Sequence, residues 1–365
     1  MRILHVFRSP VGGLFRHVRD LARGQAALGH EVGIFCDSST GGGTGAELLA
    51  VSRADCSLGI NQSAISKLPG LGDIATAQTV RNLAKKLNID IIHGHGAKGG
   101  LYARLAGKLS GIPSVYTPHG GSLHYEWSKF PGPVFLGTER ALAHAGSGFI
   151  FVCDFEKKLF AQKIGLAGRP AIVVHNGLWP EEFKSPQLAA DATDLLFVGE
   201  LRKLKGVDIL LQALAVIRKT HPVTLTLVGD GPDQAEFEVL SAQLHLGTGV
   251  RFVGRHSMAS ALRMGRIMIL PSRNESFPYV VLETVAAGVP IIASDVGGVG
   301  EVLPVSMLTK AEDSDDLANK ISAVLNNAAY AKADADKLIK SLGSSLSAET
   351  MCRKIVDFYQ TVTAH

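Results

Sequence analysis

Residues 270–290 read LPSRNESFPYVVLETVAAGVP, and this stretch decides the fold. Met268, Ile269 and Leu270 close an apolar run that reads as a buried strand, and Gly288 and Pro290 stop the helical pattern that follows. Ser276 is the expected N-cap. Pro278 suits the first helical turn, where a proline loses no hydrogen bond. Strand, loop and helix in this order make an anion site. The backbone N–H groups of Phe277, Tyr279 and Val280 are expected at the helix N-terminus, where the helix dipole favours a phosphate. Glu275 falls in the loop and Glu283 one turn inside the helix, eight positions on. With a diphosphate at the helix end, Glu283 would accept hydrogen bonds from nucleotide sugar hydroxyls, while Glu275 would face the group beyond the phosphates.

The same alternation of strand and helix runs through the chain. RILHVF, EVGIFC, IDIIHG, PSVYT, GFIFVC and AIVVHN precede a polar, proline-containing stretch at 179–194, and DLLFVG, VTLTLVG, VRFVG, IMILP and PIIAS follow it. Strands alternating with helices imply parallel sheets. A chain of 365 residues exceeds what one hydrophobic core supports, so two α/β domains are expected, with the polar stretch as hinge. The expected boundaries are 1–180 and 181–345, with a final helical segment at 346–365. Two doubly wound sheets facing across a cleft would bind ligands at the carboxyl ends of their strands.

Composition narrows the class. Glycines number 40 and charged residues make up 19%, which suits buried parallel strands joined by glycine turns. The opening MRILHVF is too short for a secretory core and reads as the first strand, and no run is long enough to span a membrane. Cys36, Cys56, Cys153 and Cys352 are scattered without zinc spacing and are expected to be reduced cytosolic thiols. Residues 1–180 hold 19 Lys and Arg against 11 Asp and Glu, a balance of +8, whereas residues 181–365 carry 18 against 22, a balance of −4. Such a basic half is either a plain solvated surface or one that meets an anionic membrane face or an acidic acceptor. Nucleic acid is not expected, because the basic residues are not interleaved with aromatics.

Gly94, Gly96 and Gly99 match the dinucleotide fingerprint G-x-G-x-x-G between a strand and a helix. The fingerprint also needs an acid at the end of the next strand, and His119 stands there instead. A tight strand-to-helix turn is the competing explanation. His95 and His119 both follow strands, which puts them at the rim where ligands bind; His93, His124 and His175 are left to packing.

Several ordered motifs resemble the retaining glycosyltransferases of family 4, which have the GT-B fold. They are Gly12 and Gly13 before HVRDLARGQAALGHEV, then IIHGHGAKGGLYARLAGKLSGIPSVYTPHG, VVHNG at 173–177, FVGELRKLKGVDILLQAL at 197–214, LVGDGP at 227–232, the Glu275-x7-Glu283 element, and SDVGGVGEVL at 294–303. The resemblance implies that His119, in Thr117-Pro-His119-Gly120, contacts the donor sugar. It also implies that the loop of Gly12 and Gly13 lies over the donor phosphates or the acceptor, and that the turns at Gly229–Gly231 and Gly254 line the nucleoside. The family's Gly-Arg-Leu-x-x-x-Lys-Gly segment neutralises the diphosphate. Here Lys205 matches its lysine, but Glu200 holds the arginine position. Side chains on extended backbone repeat every two residues, so Arg202 is expected to supply the guanidinium. The last helix is expected to cross back onto the N-terminal domain, which takes the acceptor while the C-terminal domain takes the donor.

The chain is thus expected to be a cytoplasmic hexosyltransferase, with the inner membrane face as a place of work, that uses a nucleoside-diphosphate sugar and needs neither cofactor nor metal. A glycan, a lipid-linked molecule or a small molecule is the expected acceptor, with cell-surface polysaccharide synthesis as the setting. A sugar-nucleotide epimerase on the same fold would use the same diphosphate site. A nicotinamide oxidoreductase is disfavoured by His119, and an exported sugar-binding protein by the lack of a signal peptide.

Overall fold

The computed structural model describes residues 1–342 and 345–364. The chain folds as two compact units, one of Met1–Gly177 with Ala348–His365 and one of Leu178–Ser347.

The first unit holds seven strands: β1 (Arg2–Val6), β2 (Glu31–Asp37), β3 (Ile60–Ser63), β4 (Ile91–His95), β5 (Ser114–Thr117), β6 (Gly148–Phe151) and β7 (Ala171–Val173). All pair in parallel, in the order β3-β2-β1-β4-β5-β6-β7. The order reverses between β1 and β4, which is where an open parallel sheet leaves a crevice at its carboxyl edge. β1 and β4 run in register there, with His5 opposite His93.

The second unit repeats the plan with β8 (Thr193–Val198), β9 (Leu225–Val228), β10 (Val250–Phe252), β11 (Gly265–Leu270), β12 (Ile291–Ser294) and β13 (Leu308–Thr309). Their order is β10-β9-β8-β11-β12-β13, again all parallel, and it reverses between β8 and β11. Leu195, Phe197, Leu225, Leu227, Ile267 and Ile269 of these strands pack with Leu210, Leu214 and Ile321 of the covering helices.

Eleven of these strands coincide with the apolar runs read from sequence. β3 and β13 do not, because β3 is the half-exposed edge segment INQS and β13 has only two residues. Such edges lack the apolar periodicity on which sequence reading relies.

The helix Ala348–Thr363 returns to the first unit. Its Met351, Ile355, Phe358, Tyr359 and Val362 are buried among Ile3, Leu21, Ile91, Val115 and Ile150. The helix Gly96–Ser110 lies close on β1 and β4 by virtue of its glycines. A Cβ on Gly99 would stand 2.2 Å from the Val6 carbonyl oxygen, so a small residue is required for contact alone. That packing explains the glycine fingerprint without a dinucleotide.

Candidate active site

In the second unit the loops after β8 and β11 meet at the point where the strand order reverses. Lys205 ends a short 3-10 turn, Lys203–Lys205, and its Nζ lies 2.6 Å from Glu275 Oε1. Ser272 Oγ donates to the same carboxylate oxygen at 2.7 Å. Only 8% of the Glu275 side chain is exposed, so this is a sheltered ion pair between residues 70 apart in sequence. Arg273, unremarked in the sequence, anchors the loop. Its guanidinium takes both oxygens of Asp208, at 2.8 and 2.7 Å, and bonds Glu312 and the Lys203 carbonyl. Burial opposes ionisation of Asp208, but the Arg273 bonds outweigh it and hold the carboxyl below its ordinary range. The fork geometry thereby locks the β11 loop to the helix Val207–Ile217.

The loop after β12 closes over the same place. Gly298 N–H donates to the Ser276 carbonyl at 2.7 Å, and Gly297, at φ +58, sits so close that a Cβ would be 1.8 Å from the Glu275 carbonyl oxygen. This contact corrects the expected helix start. With its carbonyl engaged, Ser276 stays outside the helix, which spans Tyr279–Ala286 with Pro278 in the N-cap position at φ −76 and ψ 129. Tyr279 and Val280 open that helix, whereas Phe277 precedes its cap and does not belong to the helix end. Glu283 falls in the second turn and is half-buried.

Arg202 and Glu200 do face the same way, with Nη1 3.4 Å from Oε2 and about half of each side chain exposed. Gly254, at φ 74, follows β10, and its carbonyl accepts from Gly229 N–H at 2.8 Å, so the turns after β9 and β10 are joined. The expectation of a metal-free site took the chain to hold no Asp-x-Asp triplet, but it holds two. Asp313-Ser314-Asp315 caps and opens the helix Ser314–Asn326, and Asp334-Ala335-Asp336 lies within Ala328–Leu342. Among the described residues neither triplet belongs to a set of three ligands close enough to share an ion.

The first unit gathers histidines at its own reversal point. Gly12 and Gly13 are not a loop but the exposed first turn of the helix Gly12–Ala27, which brings His17 inward. His5 and His93 stand on neighbouring strands, and His95 ends β4. His119 lies two residues past β5 in the left-handed region at φ 50, a conformation costly for a residue with a Cβ. Gly120 N–H, held by the Glu156 carboxylate, keeps this turn in place. His95 Nδ1 lies 3.2 Å from His119 Nε2, and His95 Nε2 3.0 Å from His5 Nδ1; His5 Nε2 bonds Gln25 Oε1 at 2.8 Å. His93 bonds Tyr359 Oη at 2.6 Å and Thr117 Oγ1 at 2.8 Å, and His17 Nδ1 bonds Asn176 Oδ1 at 2.9 Å.

Burial disfavours the imidazolium throughout. It lowers the His5 pKa to about 4 and that of His17 to about 3, and it holds His93, His95 and His119 well below the ordinary histidine value. His5 and His17 were not singled out in the sequence. The signal available was that His5 and the His93-x-His95 pair all lie in strand patterns, with His95 at the end of one.

Two family models match, one described as Glycosyltransferase Family 4 over residues 11–182 and one as Glycosyl transferases group 1 over residues 180–340. The chain belongs to the group 1 glycosyltransferases of family 4. Among curated relatives, a glycogen synthase of Mycobacterium tuberculosis is 27% identical to this transferase over 96% of this chain and 91% of its own. The gpi3 subunit of the phosphatidylinositol N-acetylglucosaminyltransferase of Schizosaccharomyces pombe is 30% identical, over 68% of this chain and 56% of its own. HepE of Anabaena, solved in complex with UDP-glucose, superposes on the transferase with a TM-score of 0.83 at 22% identity, covering 99% of this chain and 100% of that one, and shares its GT-B fold. Among the described residues of the transferase no helix is long and apolar enough to cross a membrane.

Proposed function

We propose that this glycosyltransferase moves a hexosyl unit from a nucleoside-diphosphate sugar to an acceptor with retention of configuration, and that it needs no metal ion or cofactor to do so. The ion pair of Lys205 with Glu275 beside the helix Tyr279–Ala286 carries this reading. A diphosphate entering there competes for Lys205, and the carboxylate it leaves behind is turned to the sugar. Lys205, Arg202 and the helix N-terminus supply positive charge to the leaving group in place of a metal. In the step itself the bond from the sugar C1 to the phosphate oxygen breaks and a bond from C1 to the acceptor oxygen forms on the same face. The acceptor proton passes to the departing phosphate. Within the second unit, Glu275 is the residue assigned to the sugar, with Gly254, Tyr279, Val280 and Glu283 assigned to the rest of the donor. Calorimetry of the purified chain with UDP, GDP and ADP sugars tests the reading. Saturable binding of one series is expected, and an absence of binding to all three would end it.

Glu283→Ala is expected to weaken diphosphate binding by roughly 1 to 3 kcal/mol, the cost of losing a charged acceptor for ribose hydroxyls. The check compares ribo and deoxyribo diphosphates. Equal discrimination by wild type and variant would remove Glu283 from the ribose.

Arg202→Ala is expected to weaken diphosphate binding about tenfold, while Glu200→Ala leaves it unchanged or tightens it, since one change removes a cation and the other an anion. Titration of both variants with the free diphosphate decides. A Glu200→Ala protein that loses binding would overturn the substitution of Arg202 for the missing arginine.

The acceptor is proposed to be a glycan or lipid-linked molecule met by the first unit, in cell-surface polysaccharide synthesis. The gpi3 relative, named for a phosphatidylinositol substrate, and the +8 balance of residues 1–180 support this. So do Leu68, Leu71 and Ile74, which are 73%, 86% and 65% exposed near Lys67. Sedimentation with anionic vesicles is expected at low salt and lost at high salt, as surface attraction falls off within a Debye length of roughly 8 Å at physiological salt. A protein that ignores anionic vesicles at low salt points to a soluble acceptor.

A further inference from the structure

Two sets of three histidines in the first unit bring one nitrogen from each ring within 4.8 Å of the others: His5, His93 and His95, and His17, His95 and His119. Their hydrogen bonds separate them. In the first set both nitrogens of His5 are engaged, by His95 and Gln25, and both of His93, by Tyr359 and Thr117. Nothing is left to bind an ion. In the second set the acceptors set the tautomers. The Asn176 carbonyl oxygen can only accept, so His17 carries its proton on Nδ1 and presents a bare lone pair at Nε2. That Nε2 is buried and has no hydrogen-bond partner. Gln25 Oε1 likewise only accepts, so His5 donates from Nε2, receives from His95 Nε2 at its own Nδ1, and leaves His95 Nδ1 as a lone pair. This lone pair accepts His119 Nε2–H at 3.2 Å, the one hydrogen bond in the set that an ion would replace, with the His119 proton moving to Nδ1.

We propose that His17, His95 and His119 form a binding site for a divalent first-row transition ion of the size of Zn2+, one nitrogen from each, with the remaining coordination position open. Tetrahedral zinc with Zn–N bonds of about 2.0–2.1 Å separates its nitrogens by about 3.3 Å. The His95 to His119 distance already has this value, and since all three nitrogens lie within 4.8 Å of one another, His17 has at most roughly 1.5 Å to close. Asn176 and His5 receive the outward N–H groups of His17 and His95, the second layer by which metal-binding imidazoles are oriented. The ligands come from three separate elements: the helix Gly12–Ala27, the end of β4, and the left-handed turn after β5. An ion would therefore pin that turn and occupy the His119 nitrogen. No step of the transfer is assigned to the ion, and the site rests on the histidine geometry alone; an ion on His119 would exclude the sugar contact that the family resemblance implies for that residue.

The probe is Co2+, added to the full chain without a polyhistidine tag after treatment with a chelator. An intense visible d–d absorption of a four-coordinate ion is expected, saturating at one Co2+ per chain and displaced by Zn2+. His17→Ala and His119→Ala are each expected to abolish the band, and His93→Gln to keep it, with circular dichroism confirming that each variant is folded. If His17→Ala fails to fold, His119→Ala gives the same reading from the more exposed side. No band in the wild type, or a band that survives the folded variants, would overturn the site.

Discussion

Glu275→Ala is expected to lower sugar transfer by about a hundredfold or more, the scale seen when one fixed electrostatic group is removed from an active site. Binding of the free nucleoside diphosphate should stay within a few fold. The asymmetry follows from the geometry. Glu275 holds Lys205 at 2.6 Å, so its removal frees a cation for the phosphates and takes nothing from them. Ser272 and the Arg273 to Asp208 clamp still shape the loop. Turnover and calorimetry on the same preparation separate the two quantities, and a variant with near wild-type turnover would show that Glu275 does not act on the sugar.

The second large effect is loss of stability in acid. His5 and His17 remain neutral in the folded first unit, with pKa values lowered to about 4 and about 3, while unfolded histidine titrates near 6.5. Below that value the unfolded chain binds more protons than the native one, so stability falls as pH falls. The loss begins near pH 6.5 and for His5 continues to about pH 4. That ring alone contributes roughly 3 kcal/mol over this range, and His93, His95 and His119 add in the same direction. The side chains that bond these rings, Gln25, Asn176, Thr117 and Tyr359, carry no charge to favour a proton. Urea unfolding at steps from pH 7.5 to 4.5 is expected to show a steadily falling midpoint. A midpoint that does not move between pH 6.5 and 5 would mean that the rings take up protons without unfolding.

What the sequence showed and what it hid divide along one physical line. The alternation of apolar runs with glycine-ended helical stretches is local, and it gave both sheets, the β11 loop and Glu275 in its place. Ser276 misled because the Gly298 N–H that occupies its carbonyl comes from 22 positions further on. The Lys205 to Glu275 pair spans 70 positions and could be seen only as two separate motifs. Histidine clustering was less visible still. His93 and His95 stand two apart on one strand, but His5 joins them through the pairing of β1 with β4, and His17 through the packing of a helix. No local pattern carries sheet order.

The helix Ala348–Thr363 has a consequence for how the chain is made. It completes the core of the first unit, and its Tyr359 bonds His93, yet it leaves the ribosome only after the whole second unit. Residues 178–347 form a continuous unit and are all available earlier. Domains generally fold in the order of synthesis. Here that order is inverted: the unit that holds residues 1–177 must wait, with Ile3, Ile91 and Ile150 uncovered, until residues 348–363 have been made. A nascent chain stalled short of residue 348 would therefore present a finished second unit behind an open first one.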